Sequence, residues 1–272
     1  MASLPLIISP EAYMELPQDE NRLLIAIVQS SVFNTHHIPN SVLVEPAELV
    51  SGIKPAVGKL PSTERLNALF SKIGLSPNKH VVVYDDEGGG WAGRFIWTLD
   101  VIGHQNYTYI DGGLSAWTKM GFPLTVSNAN DPQPEPTNYS CTIREELLVS
   151  KDDVLAQIDD SYSIVWDARA PEEYHGKKVT ALRNGHIPAA VNLNWLDLLD
   201  RENDLRLKSL VELELQLKAL GIDKGKKIIT HCQTHHRSGL SYLVGKALEY
   251  NIKAYDGSWS EWGNDPNVPI EN

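Results

Sequence analysis

The sequence predicts an α/β protein made of two tandem copies of one unit, each an open, mostly parallel sheet flanked by helices. Landmarks of the first half recur in the second in the same order and at a nearly constant offset. His37-Ile38-Pro39 returns as His186-Ile187-Pro188, Val82-Val83-Tyr84-Asp85 as Ile229-Thr230-His231-Cys232, Asp111-Gly112 as Asp256-Gly257, and Trp117 as Trp262. Self-similarity of this kind marks duplicated structural units. Residues 80–84 and 226–231 are short, β-branched runs, the pattern of buried parallel strands. After the second run, Leu240, Leu243, Val244, Ala247 and Leu248 fall on one face of a helix.

The remaining elements follow from local chemistry. Tyr107-Thr108-Tyr109-Ile110 is a further strand that ends in the Asp111-Gly112-Gly113 turn. Strand, loop, helix and strand make the βαβ unit, and its right-handed crossover builds a parallel sheet. The 272 residues suffice for two domains, each able to bury its own core. Ser127–Ser140 is rich in Pro, Asn and Asp and has no periodicity, as expected of an extended linker. The predicted division is a first domain over 1–125, a linker over 126–141 and a second domain over 142–272.

Charge and composition exclude several functions. A formal charge of −11 repels phosphate backbones and anionic lipid, so neither nucleic acid nor membrane is an expected partner. Any anionic substrate must meet a locally positive pocket. The N-terminal MASLPLIISPEAYMEL has no basic region and is broken by Pro5 and Pro10, so it does not read as a signal peptide. With only Cys141 and Cys232 in the chain, a reducing cytoplasm is the expected compartment. A duplicated chain supplies its own pairing of units, which predicts a monomer.

The duplicated strand also locates the chemistry. In the second half it runs into Cys232-Gln233-Thr234-His235-His236-Arg237-Ser238; in the first half the same place reads Asp85-Asp86-Glu87-Gly88-Gly89-Gly90. Ligands of open parallel sheets bind beyond the carboxyl ends of the strands. There Cys232 precedes a helix N-terminus, whose free N–H groups and dipole favour negative charge and depress a thiol pKa. The amides of residues 233–238, the fixed charge of Arg237 and protonated His235 or His236 are expected to hold an anion. The acidic first-half loop is expected to repel one.

The loop that starts with Cys232, the His186-Ile187-Pro188 segment, Asp167-Ala168-Arg169 and Asp256-Gly257-Ser258-Trp259-Ser260-Glu261-Trp262 resemble tandem-domain rhodaneses over essentially the whole chain. That resemblance implies two rhodanese-like domains, the first inactive because Asp85 replaces the cysteine. It implies a thiosulfate sulfurtransferase that carries sulfur as a persulfide on Cys232, releases sulfite and passes the sulfur to cyanide or another thiophile. The sulfur is held covalently, with no separate cofactor and no metal. The implied partners are a small anionic donor and a thiophilic acceptor or acceptor protein. Two features depart from the family pattern. The loop is Cys-Gln-Thr-His-His-Arg where thiosulfate-preferring members have Cys-Arg-Lys-Gly-Val-Thr, and Glu173 stands where the family has an anion-binding arginine. Arg237 is expected to compensate.

3-Mercaptopyruvate is the alternative donor. A cysteine phosphatase is a more distant reading of His231-Cys232 and Arg237-Ser238, but only residues 233–236 separate Cys232 from Arg237, one fewer than phosphatases use. A metal site is disfavoured because consecutive loop residues cannot converge on one tetrahedral centre. Asp167 and Arg169 read as an ion pair supporting the loop, and Trp195 as either a pocket wall or a core residue. His37 and His186 read as turn residues, Trp117 and Trp262 as packing residues, and Cys141 as an inert thiol at the linker edge.

Overall fold

A computed structural model describes residues 4–127 and 134–272; part of the expected linker, residues 128–133, lies outside them. The first half contains β1 (Ile7–Ile8), α1 (Pro10–Met14), β2 (Arg22–Ile27), α2 (Ser30–Thr35), β3 (Ser41–Val44), α3 (Thr63–Lys72), β4 (His80–Asp85), α4 (Gly90–Val101), β5 (Tyr107–Ile110) and α5 (Gly113–Lys119). The second contains α6 (Lys151–Gln157), β6 (Ser163–Asp167), α7 (Pro171–Tyr174), β7 (Val191–Asn192), β8 (Leu199–Asp200), β9 (Arg206–Leu207), α8 (Leu210–Ala219), β10 (Lys227–His231), α9 (Arg237–Ala247), β11 (Asn251–Ala254) and α10 (Ser258–Trp262).

The two main sheets have orders β1-β5-β4-β2-β3 and β11-β10-β6-β7, and every strand pair within them is parallel. Helices cover both faces, which is why the central strands β4 and β10 are buried at every residue but the first. The duplication extends to details. Trp117 Nε1 donates to Pro123 O and Trp262 Nε1 to Pro269 O, both at 2.9 Å, and both indoles are buried. His37 and His186 are also buried, each stacked on an aromatic ring with centroids 3.7 Å apart. An antiparallel hairpin, β8–β9, is an addition to the second half that strand periodicity did not reveal.

The two units dock through their equivalent helices α4 and α9. A Cβ on Gly93 would lie 2.2 Å from Gly239 O, and one on Gly239 would lie 2.3 Å from Gly90 O. Backbone therefore meets backbone, an approach only glycine permits. The docking is reciprocal. Asp111 accepts a hydrogen bond from Leu207 N at 2.8 Å, and its duplicate Asp256 accepts one from Leu60 N at 2.8 Å. Each repeat thus uses the same aspartate to hold a long loop of the other, and the Cys232 loop is roofed by the first domain. The far end of the linker straps onto α3, with Cys141 N donating to Asn67 Oδ1 at 2.8 Å.

Candidate active site

Cys232 follows the last residue of β10, and α9 begins at Arg237. The turn between them is tight because its carbonyls are held from outside. Cys232 O accepts from Trp259 N at 3.0 Å, and Gln233 O from Ser260 N at 2.9 Å. His235 occupies the left-handed backbone region, with φ 55°. A Cβ on Gly58 would lie 2.2 Å from Thr234 O, so the first domain presses on the loop from above. The tightness brings the opening turn of α9 back onto the sulfur, where Ser238 offers both its backbone N–H and its hydroxyl.

Cys232 is fully enclosed. Burial alone pushes its thiol up, but the Arg237 guanidinium, the two Ser238 bonds and His236 together bring it below its ordinary value. Cys141, also unpaired, is pushed up by burial, so the two thiols differ in kind.

The loop residues divide by direction. Gln233, Thr234, His236 and Arg237 are partly exposed, whereas Cys232, His235 and Ser238 point inward and are sealed. Gln233 Nε2 donates to Thr180 O at 3.0 Å. Arg237 does not offer a free charge: it grips Glu173 with Nη1–Oε2 at 2.5 Å and Nη2–Oε1 at 3.0 Å. Burial pushes the Glu173 carboxyl up, but Arg237 more than offsets this and holds it low. Glu173 is thus neutralised by the loop arginine.

The expectation of a protonated histidine needs correction at His235. Burial, first of all, and then the Arg94 guanidinium hold His235 far below its ordinary pKa, so its ring is neutral. Its Nδ1 lies 2.8 Å from Ser238 Oγ. His236 turns to the first domain, where Nε2 bonds Glu87 Oε1 and the ring stacks on Trp91 at 4.3 Å. Trp195 lies 5.9 Å from the His236 ring and is half-buried, at the edge of the loop.

Asp167 and Arg169 form a fully buried pair, with Nη2–Oδ2 at 2.6 Å. Arg169 also donates to Gly185 O at 2.8 Å and lies 4.2 Å over the Trp259 ring. The pair therefore braces α10, whose amides hold the Cys232 loop. Sequence reasoning missed Glu87, Trp91, Arg94 and Trp97 of the first domain, and Ser258, whose Oγ accepts from Cys232 N at 3.4 Å. The recurrence of Asp-Gly was the one available signal, because Asp256 is the point where the first domain's loop attaches. Among the described residues, no three His, Cys, Asp or Glu side chains are grouped to hold a metal ion.

The first-domain loop has the same turn with a different occupant. Asp85 Oδ1 accepts from the amides of Glu87, Gly88 and Gly89 at 3.2, 3.1 and 2.8 Å, and Oδ2 from Ala92 N at 3.0 Å. Rather than only repelling an anion, the acidic residue serves as the anion: its carboxylate fills the amide cradle. Burial and neighbouring Glu87 nevertheless push its pKa up to about 6.

The Rhodanese-like domain family matches the chain twice, over residues 9–120 and 150–265. The chain belongs to the rhodanese family. This rhodanese is 44% identical over 271 residues to the thiosulfate sulfurtransferase of Azotobacter vinelandii, covering 99% of this chain and 98% of that one. It is 42% identical, over the same spans, to the thiosulfate sulfurtransferase of Pseudomonas aeruginosa. Among solved structures, the anaerobic ergothioneine biosynthesis enzyme from Chlorobium limicola superposes with a TM-score of 0.86 at 20% identity, covering 98% of this chain and 70% of that one. At that identity the likeness concerns the fold alone. No helix among the described residues of this rhodanese is long and apolar enough to cross a membrane.

Proposed function

We propose that this rhodanese is a thiosulfate sulfurtransferase working through a Cys232 persulfide. The observation that carries the reading is the Cys232 thiol itself, buried yet held below its ordinary pKa by Ser238 and Arg237. The thiolate attacks the outer sulfur of thiosulfate, the S–S bond of the donor breaks, and sulfite leaves with the electron pair. The persulfide anion left on Cys232 keeps the single negative charge of the thiolate it replaces, so the same donors serve both states. Cyanide or another thiophile then attacks the outer sulfur and returns the Cys232 thiolate. The carrier is the side chain, and no cofactor takes part. Full-length relatives named thiosulfate sulfurtransferases support thiosulfate as the donor.

The remaining assignments follow from this chemistry. The acceptor is a small thiophile or a thiol-bearing protein, the enzyme acts as a monomer, and a thiolate carrier suits a reducing cytoplasm. Steady-state formation of thiocyanate from thiosulfate and cyanide tests the proposal. Double-displacement kinetics should give parallel double-reciprocal lines, because sulfite leaves before cyanide enters. Intersecting lines, or a faster reaction with 3-mercaptopyruvate, would remove the double-displacement mechanism or thiosulfate respectively.

A further inference from the structure

Between the two domains, behind the Cys232 loop, lies a buried polar cluster that the sulfur-transfer scheme does not use. His235 is sealed and its backbone is fixed in the left-handed region. Nδ1 of its ring lies 2.8 Å from Ser238 Oγ, while Nε2 has no hydrogen-bond partner among the described residues. The ring packs edge-on against Trp97 with centroids 4.7 Å apart, and the Arg94 guanidinium lies 4.6 Å over that indole. Arg94 is fully buried, donates from Nη2 to Leu49 O at 2.8 Å, and leaves Nε and Nη1 unpartnered. Both Arg94 and Trp97 belong to α4 of the first domain.

Ser238 is also the residue that bonds the Cys232 thiolate through its hydroxyl. A hydroxyl has one proton and two lone pairs. With Oγ–H directed at sulfur, only a lone pair faces His235, and the 2.8 Å contact requires a proton on Nδ1. The opposite tautomer would draw the Ser238 proton to the ring and away from the sulfur. The titratable groups facing the ring are Arg94 from α4, His231 at the end of β10 and His236 from its own loop. A guanidinium beside a neutral imidazole favours a lone pair on the free nitrogen, Nε2, and so leaves the single ring proton on Nδ1.

We infer that His235 is a positioning residue: with Arg94 of the first domain behind it, its Nδ1–H donates to Ser238 Oγ and so aims the Ser238 hydroxyl at Cys232 Sγ. The cysteine-free domain thereby contributes to the reactivity of a cysteine in its partner domain. The inference rests on Cys232 as the reactive thiolate of the proposed transferase.

The test is the rate of Cys232 alkylation by iodoacetamide as a function of pH. It needs no sulfur donor, so a failure here is distinct from a failure of sulfur transfer. His235→Leu and Ser238→Ala should each raise the midpoint by about one pH unit, slowing alkylation below the midpoint about tenfold. His235→Asn tolerates the left-handed backbone and offers an amide N–H in place of Nδ1, so it should stay within about threefold of the wild type. In a Ser238→Ala background, His235→Leu should add nothing, because the hydroxyl it aims is gone. A general structural role would instead move the midpoint in both backgrounds. The inference is overturned if His235→Leu leaves the midpoint in place, if His235→Asn moves it as far as His235→Leu, or if the shift persists without Ser238. Should His235→Leu not fold, an unshifted Ser238→Ala, or a His235→Asn shifted as far as Ser238→Ala, overturns it equally.

Discussion

The Glu173 carboxylate and the Arg237 guanidinium lie fork to fork, at 2.5 and 3.0 Å, so the guanidinium that lowers the Cys232 thiol has a counterion before any substrate arrives. Glu173 is 3% exposed in its side chain and Arg237 19%, which makes the pair a partly desolvated one with little screening. A dianion entering the site competes with Glu173 for the guanidinium. Glu173→Gln should therefore lower the thiosulfate KM, by about three- to tenfold, and lower the Cys232 alkylation midpoint. Arg237→Ala should do the opposite in both readouts, and Arg237→Lys should recover only part, since a point charge does not reproduce the planar fork. Steady-state kinetics and alkylation profiles of the three variants check the sign.

Asp85 tests whether the first-domain loop is a filled cradle. Its carboxylate accepts from four backbone amides, and those of Gly88, Gly89 and Ala92 are buried. Asp85→Ala leaves these donors unsatisfied and should destabilise the protein by about 2–4 kcal/mol, visible as a lower Tm.

The crossing of α4 and α9 has no room for a methyl group. At Gly239 an added Cβ would meet Gly90 O at 2.3 Å and Arg94 N at 2.4 Å, all backbone on rigid helices. Gly239→Ala should cost about 2–4 kcal/mol and separate the domains locally, lowering Tm and slowing turnover together. Ala at Gly121, where nothing among the described residues lies within 4 Å but φ is 69°, should cost about 1 kcal/mol from backbone strain alone. Thermal melts of the two variants separate steric clash from strain.

Much of the architecture was legible because each repeat announces itself locally. β4 and β10 are short β-branched runs, α9 has one apolar face, and the Asp-Gly and tryptophan landmarks recur in order. Cys232 was legible by contrast with Asp85 at the same strand end. The partners of the loop were not, because they arrive from far along the chain. Glu87 meets His236, and Arg94 lies beside His235, only after two domains dock through glycine contacts that no periodicity encodes. Reading His235 as a cation failed for this reason: its charge state depends on burial against a surface from the other repeat. Glu173 likewise read as a missing arginine until Arg237 was seen to pair with it.

The most direct test of a Cys232 persulfide is the mass of the intact protein after treatment with thiosulfate and removal of excess donor. The account predicts a gain of about one sulfur atom, located on Cys232 by peptide mapping, lost on adding cyanide, and absent in Cys232→Ala but retained in Cys141→Ala. The buried, raised thiol of Cys141 should carry none. An unchanged mass under conditions where thiocyanate forms, or sulfur found on Cys141, would contradict it.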